Sequence, residues 1–144
     1  MSVTQILNQK GRDVITCDPS ETVHTVAQTL GKKRIGAVVI SSGKGHIDGI
    51  VSERDIVRAI GELGAAALEK PVSSIMTKNV RHCTDDDTET ELMALMTQHR
   101  IRHLPVVANG KLAGMISLGD VVKFRIEAIE RDAADMKAYI SGAA

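Results

Sequence analysis

Aromatic side chains are almost missing. Phe124 and Tyr139 are the only two, and there is no tryptophan. Readers of single-stranded nucleic acid stack bases on aromatic platforms, so that class is set aside. An excess of one charge is missing too: 18 Lys and Arg face 18 Asp and Glu, which leaves no basic surplus for a general polyanion binder. Cys17 and Cys83 are too few for a secreted disulfide scaffold or a four-cysteine zinc site. No run of about 18 apolar residues is present to span a bilayer. The first ten residues lack the basic-then-apolar order of a signal peptide. The expectation is a reduced, cytoplasmic protein whose 144 residues suffice for a real core.

What the chain does contain is itself, twice. A shift of 66 residues sets Val14 on Val80, Cys17 on Cys83, Thr22 on Thr88, Arg34 on Arg100 and Ile35 on Ile101. After one gap the shift becomes 65, and Gly45, Gly49, Ser52, Asp55 and Val57 fall on Gly110, Gly114, Ser117, Asp120 and Val122. The lead-ins agree as well, Val3-Thr4-Gln5-Ile6-Leu7 with Val72-Ser73-Ser74-Ile75-Met76. Each unit reads β-α-β-β-α. First strands are expected at 14–16 and 80–82. The first helices carry Val23, Val26, Ala27 and Leu30, or Leu92, Met93, Leu95 and Met96, at helical spacing. Thr88-Glu89-Thr90-Glu91 supplies a capping box. Strands are expected at 35–40 with 47–51, and at 101–107 with 112–116, the latter pair joined by the hairpin signal Asn109-Gly110. The second helices carry Ile56, Val57 and Ile60, or Val122, Ile126 and Ile129. The units are placed at 8–66 and 75–132, with lead-in and connector at 1–7 and 67–74. A helical tail is expected at 133–144. The fold class is α+β, two repeats about a pseudo-twofold axis, because each bare sheet face needs a cover.

Both units carry Gly-h-h-Ser-x-x-Asp (h, hydrophobic), as Gly49-Ile50-Val51-Ser52-Glu53-Arg54-Asp55 and Gly114-Met115-Ile116-Ser117-Leu118-Gly119-Asp120. Ser-x-x-Asp where a strand enters a helix is a capping pattern. The same geometry offers N–H groups to an anion, a carboxylate to a ribose diol and a hydroxyl to a phosphate. The two readings are compatible.

With its duplicated signature and the segment Arg100-Ile101-Arg102-His103-Leu104-Pro105-Val106-Val107, the chain resembles a pair of CBS domains, or Bateman module, over about residues 3–130. Ser52-Glu53-Arg54-Asp55-Ile56-Val57-Arg58 is close to the wording of small stand-alone bacterial members. The resemblance implies two clefts between the repeats that bind AMP, ADP, ATP, and in some members NAD(H) or S-adenosylmethionine. It implies ribose on Asp55 and Asp120, with Ser52 and Ser117 near ribose or phosphate. Base contacts fall to the first strands and their turns: Ile15, Thr16, Cys17, Asp18 and Pro19, or Arg81, His82, Cys83 and Thr84. Arg102 and His103, followed by Leu104 and Pro105, reach phosphate in related kinase subunits. Unit one has Ala37 and Val38 after Gly36 at those places, so the clefts cannot be chemically equal. Arg54, opposite Gly119, is expected to serve a phosphate held by the other unit. The implied function is a non-catalytic metabolite sensor that regulates a partner protein and forms a homodimer through helices.

Other features compete. His99 and His103 have a metal spacing only if helical, and Pro105 in a β-rich run argues for a strand there. Asp85-Asp86-Asp87 reads as a solvated first turn rather than an ion site. Cys17 and Cys83 read as small apolar residues near each core. Gly43-Lys44-Gly45 is not a dinucleotide fingerprint, since its loop joins two strands. No nucleophile with its base stands out, so no enzyme is expected. The alternative function is a structural or interaction module whose serines and aspartates only cap helices.

Overall fold

A computed structural model describes residues 2–142. Ser2 caps helix α1 (Val3–Lys10), whose buried face is Val3, Ile6 and Leu7. Those three do not join the repeat that follows them. They enter the second repeat's core, among Leu92, Met96, Leu104, Val106, Ile116, Val121 and Phe124. The connector does the reverse. Val72 is buried in the first core with Val23, Val26, Leu30, Val38, Ile40, Val51 and Ile56, and Ile75 and Met76 pack against it. Backbone bonds seal both exchanges: Val3 N–H donates to Asp87 O at 2.9 Å, and Val23 N–H donates to Lys70 O at 2.9 Å. Each repeat is thus completed by the other's lead-in.

In the first repeat, β1 (Thr16–Cys17) runs parallel to β2 (Ala37–Ile40), which pairs antiparallel with β3 (Gly49–Ser52). Helix α2 (Val23–Lys33) lies between β1 and β2, and α3 (Glu53–Leu63) follows β3. Two 3-10 turns, Gly64–Glu69 and Val72–Ser74, lead across. In the second repeat α4 (Glu89–His99) precedes β4 (His103–Ala108), which pairs antiparallel with β5 (Lys111–Ser117). Asn109 and Gly110 both have positive φ, 53° and 75°, as a tight primed turn requires. The first strand here shrinks to one parallel bridge, Cys83 with Val106.

The first strands therefore start later than 14–16 and 80–82. Val14 and Ile15 are not sheet; they wall a cleft. Strands β2 and β4 also begin two residues later than expected, because residues 34–36 and 100–102 turn out of each helix before pairing begins. Strand β3 likewise begins two residues late, at Gly49, whereas β5 starts one residue early, at Lys111.

The glycine of the signature has a steric cause. A Cβ on Gly49 would sit 2.6 Å from Met76 Sδ and 2.8 Å from the Thr77 carbonyl oxygen. On Gly114 it would meet the Leu7 methyls at 3.0 Å. The exchanged lead-in presses on that strand position in both repeats.

On the outer helices the apolar positions divide between core and solvent. Helix α5 (Leu118–Ile140) buries Val121, Phe124 and Ala128, while Val122, Ile126 and Ile129 face solvent. In α3 Ile56 is buried, whereas Val57 is 68% exposed and Ile60 40%. In α4, Met93 likewise points out, whereas Leu92 and Met96 are buried. Helix α5 continues through the expected tail to Ile140, leaving Met136, Tyr139 and Ile140 exposed; residues 143 and 144 lie outside the described part. No helix is long and apolar enough to cross a membrane, among the described residues.

Candidate functional site

The strand-to-helix corners form first. Ser52 has extended backbone and caps α3. Its N–H donates to Asp55 Oδ2 at 2.9 Å, and Asp55 N–H donates back to Ser52 Oγ at 3.3 Å. Ser117 and Asp120 repeat this at α5, at 2.8 and 3.1 Å. The capping pattern is real in both copies. It occupies one carboxylate oxygen, Oδ2, and leaves Oδ1 for other partners.

Two clefts meet these corners, and each is walled by both repeats. Cleft one, about 270 Å³, joins Ser52, Arg54, Asp55 and Arg58 to Asn79, Val80, Arg81 and residues 99–103. Cleft two, about 340 Å³, joins Ser117 and Asp120 to Lys10, residues 13–15 and residues 34–37. Their sizes lie near the lower end of ligand pockets, roughly 300–1,000 Å³. Ala37 and His103, equivalent positions in the repeats, line both clefts.

Of the residues singled out in the sequence, Ala37, Ser52, Arg54, Asp55, Arg81, Arg102 and His103 come together in cleft one. Ile15, Ser117 and Asp120 come together in cleft two, beside Ala37 and His103. Cys17, Val38, Cys83 and Leu104 do not reach either; their side chains are core. Pro105 is buried in β4, and Thr16, Pro19 and His82 lie outside both linings. The physical reason is the delayed start of each first strand, which puts residues 13–15 and 79–81, not 16–19 and 82–84, beside the clefts.

Several lining residues carried no signal of their own. Arg34 and Arg100 stand out only in structure: each caps its helix in the left-handed region, φ 54°, where glycine or asparagine is usual. Each then lines a cleft. Their matching places in the two units were the available clue. Lys10 reaches cleft two from α1, 110 positions from Asp120, which no local pattern reveals. Its Nζ donates to Asp120 Oδ2 at 2.6 Å and to the Met115 carbonyl at 2.8 Å.

The electrostatics of the two clefts differ. In cleft one Arg58 lies 3.6 Å from Asp55 Oδ1, and Arg54 donates across the repeats to the Arg100 carbonyl at 3.2 Å. In cleft two, burial pushes the Asp120 carboxyl up, but the bonds from Lys10 and Ser117 outweigh it and hold it below its ordinary value. Burial, then the nearby Arg102 and Lys10 charges, hold the His103 imidazole below 6.5, against the pull of Glu53 and Asp120. Burial pushes the Cys83 thiol up to about 12, and raises Cys17 as well, so neither is a ready nucleophile. Asp85 pairs with Arg12 at 3.2 Å, and Asp87 accepts from Thr84 N–H at 2.8 Å. Among the described residues no three His, Cys, Asp or Glu side chains gather as a metal set would need.

A duplicated β-α-β-β-α pair with clefts between its halves defines the class of the protein. The CBS domain family model matches residues 5–62 and 72–127. The chain belongs to the CBS-domain family, as a tandem pair. It is 30% identical to the mitochondrial CBS domain-containing protein CBSX3 of Arabidopsis thaliana, the match covering 98% of this chain and 72% of that one. The crystal structure of a CBS-domain containing protein from Agrobacterium tumefaciens superposes with TM-score 0.85 at 48% identity, covering 87% of this chain and 99% of the other. A CBS domain protein from Pyrobaculum aerophilum, solved in complex with AMP, superposes with TM-score 0.74 at 29% identity, covering 83% and 89%. Regulatory, non-catalytic modules are the general rule in this family.

Proposed function

We propose that the protein is a non-catalytic regulatory module that binds an adenosine-containing ligand in the clefts between its repeats. The observation that carries this is the placement of each capping aspartate: it sits on one repeat and opens onto a wall supplied by the other. A ribose diol needs a carboxylate acceptor, and Oδ1 of Asp55 and of Asp120 lies outside the capping bonds. Ser52 and Ser117 stand beside them for ribose or phosphate. Ile15 in cleft two and Val80 in cleft one offer apolar surface to the base. The relative with bound AMP supports AMP as the first ligand to try; ADP, ATP, NAD(H) and S-adenosylmethionine share its adenosine.

Because each cleft has two walls from different repeats, a ligand biases the arrangement of the repeats. It thereby changes affinity for a regulated partner through differential binding. The solvent-facing Val57, Ile60 and Leu63 of α3 and Val122, Ile126 and Ile129 of α5 support a homodimer through helices. Light scattering at micromolar concentration is expected to report twice the monomer mass; a stable monomer contradicts it. Two buried free cysteines fit a reducing compartment, and we place the protein in the cytoplasm.

Thermal scans with AMP, ADP, ATP, NADH and S-adenosylmethionine test the reading. A ligand at 100 times its Kd adds about 2.7 kcal/mol to stability. The shift is expected to shrink in Asp55→Ala or Asp120→Ala. A shift unchanged in both variants, or none with any ligand, contradicts it. The capping boxes themselves favour a second reading, a ligand-free interaction module. On that reading the aspartate variants lose about 1 kcal/mol of stability and no ligand response exists to change.

A further inference from the structure

We propose that cleft one is a polyphosphate site that takes a nucleoside di- or triphosphate, while cleft two takes an adenosine ligand of lower charge. This rests on the adenosine reading above and adds where the phosphates go.

The chain as a whole is neutral, yet its charge is not spread evenly. Cleft one gathers Arg54, Arg58, Arg81, Arg100 and Arg102 around the single carboxylate of Asp55. Five guanidiniums against one carboxylate leave an excess of four positive charges. Among the described residues, Arg58 alone of these five has a carboxylate within 4.0 Å. Glu53, the nearest acidic neighbour along the chain, lines the outer groove beside α2 and faces Gly36 and His103, with none of the five arginines within 4.0 Å of it. All five arginines are solvent-exposed, so water screens their mutual repulsion and their guanidiniums stay open to an anion that enters the cleft.

The number of arginines sets the kind of anion. A terminal phosphate carries about −1.5 to −2, so a monophosphate neutralises roughly half of the excess. A second and third phosphate complete it. Guanidinium forks suit phosphate oxygens, and several can share one chain of phosphates. The five come from α3, from the segment before Cys83, and from the turn between α4 and β4, so a bridging polyphosphate draws both repeats together.

Cleft two supplies the internal control. By the repeat offsets, Arg54, Arg81 and Arg102 become Gly119, Ile15 and Gly36. Its lining holds Lys10 and Arg34 against Asp13 and Asp120, a balanced set.

Calorimetric titration with adenosine, AMP, ADP, ATP and inorganic triphosphate, in EDTA, tests the proposal. ATP is expected to bind at least about tenfold tighter than AMP, with a preference that weakens as salt rises. The double variant Arg81→Ile/Arg102→Gly copies cleft two at two of these three positions and is expected to bring the ATP-to-AMP ratio close to one while AMP still binds. Lys32→Met, at the end of α2 and outside both cleft linings, is expected to leave the ratio in place. If AMP binds as tightly as ATP, or if the double variant keeps the ratio, the polyphosphate site is overturned and the adenosine reading stands. If inorganic triphosphate binds as well as ATP and Asp55→Ala changes neither, the polyphosphate site stands and the adenosine reading falls. If no probe binds, both fall.

Discussion

Clefts one and two began as copies, and they have kept different things. Both keep the serine and aspartate of the capping box, with matching bond lengths. Both keep an arginine in the left-handed region at the end of the preceding helix. Both keep the glycine on which the exchanged lead-in rests. What changed is the wall. Three arginines of cleft one face glycine or isoleucine in cleft two, where a lysine from α1 instead holds the aspartate. Even the backbone around the two corners has been satisfied differently. The Ile50 carbonyl accepts from Thr77 N–H at 2.9 Å, whereas the equivalent Met115 carbonyl accepts from Lys10 Nζ. The frame is constrained by packing and capping, which tolerate few residue types. The wall is constrained by what it meets, and that is free to diverge.

The largest effect on this comparison comes from the frame. Leu7→Ala removes a fully buried side chain of the second core, although Leu7 precedes the first repeat. The expected loss is about 2–4 kcal/mol in urea unfolding, with cleft two disturbed more than cleft one. Gly49→Ala follows at about 1–3 kcal/mol, because its Cβ meets the Thr77 carbonyl, which is backbone and cannot rotate away. Gly114→Ala is expected to cost less, since only the flexible Leu7 methyls must yield. Equal costs would contradict the idea that the two lead-ins press differently on their strands.

The wall gives the next effect. Ile15→Arg/Gly119→Arg carries two arginines of cleft one into cleft two. Gly119 tolerates a side chain, as nothing lies closer than Ser117 Oγ at 3.6 Å from a Cβ there. Gly36 is left alone because its Cβ would meet Glu53 Oε1 at 3.0 Å and His103 at 3.1 Å. Titration is expected to show ATP tightening at cleft two by about tenfold, or about 1.4 kcal/mol. No change would mean that charge count is not what separates the clefts.

The repeat and fold class were legible from the chain's self-similarity, and the two aspartate corners from local chemistry: a serine three residues before an aspartate favours a capping box where a strand enters a helix. The hairpin at Asn109-Gly110 was legible for the same reason. Two things were not. The outward stripe of α5, Val122 with Ile126 and Ile129, has the same periodicity as the true inner face and is more apolar; period alone cannot say which side is covered. The approach of Lys10 to Asp120 spans 110 positions and depends on the exchange of lead-ins, which leaves no local trace. Of the first-strand residues expected at the clefts, Ile15 and Arg81 line them while Cys17 and Cys83 enter the cores, because pairing starts a few residues later than the sequence suggests.

A smaller effect isolates the lysine. Lys10→Met leaves Asp120 without its cation. The pair is partly exposed, 37% and 24% for the two side chains, so its contribution is about 1 kcal/mol or less. Asp120 is held below its ordinary value, so what it contributes is full above about pH 4 and fades as pH falls through the lowered value. Urea unfolding of the two proteins is expected to differ at neutral pH and to converge in acid. Arg58→Met, beside Asp55, is expected to give a smaller difference, because that pair is longer at 3.6 Å.

The smallest effect sits where the clefts meet. His103 lines both, and its imidazole is held below 6.5 in the folded protein. The unfolded chain therefore binds the proton first as pH falls. Stability is full above that ordinary value, declines as pH drops below it, and levels off once the folded imidazole is protonated too. His103→Gln is expected to flatten this shallow slope. Burial is its largest cause; among the charges, Arg102 and Lys10 oppose the proton, and Glu53 and Asp120 favour it. An anion bound among the arginines of cleft one offsets Arg102, raises the folded value and narrows the window. Unfolding curves across pH 5–7 with and without ATP should show the slope shrinking in its presence. A slope that ATP leaves untouched would separate His103 from the phosphates and return the two clefts to independence.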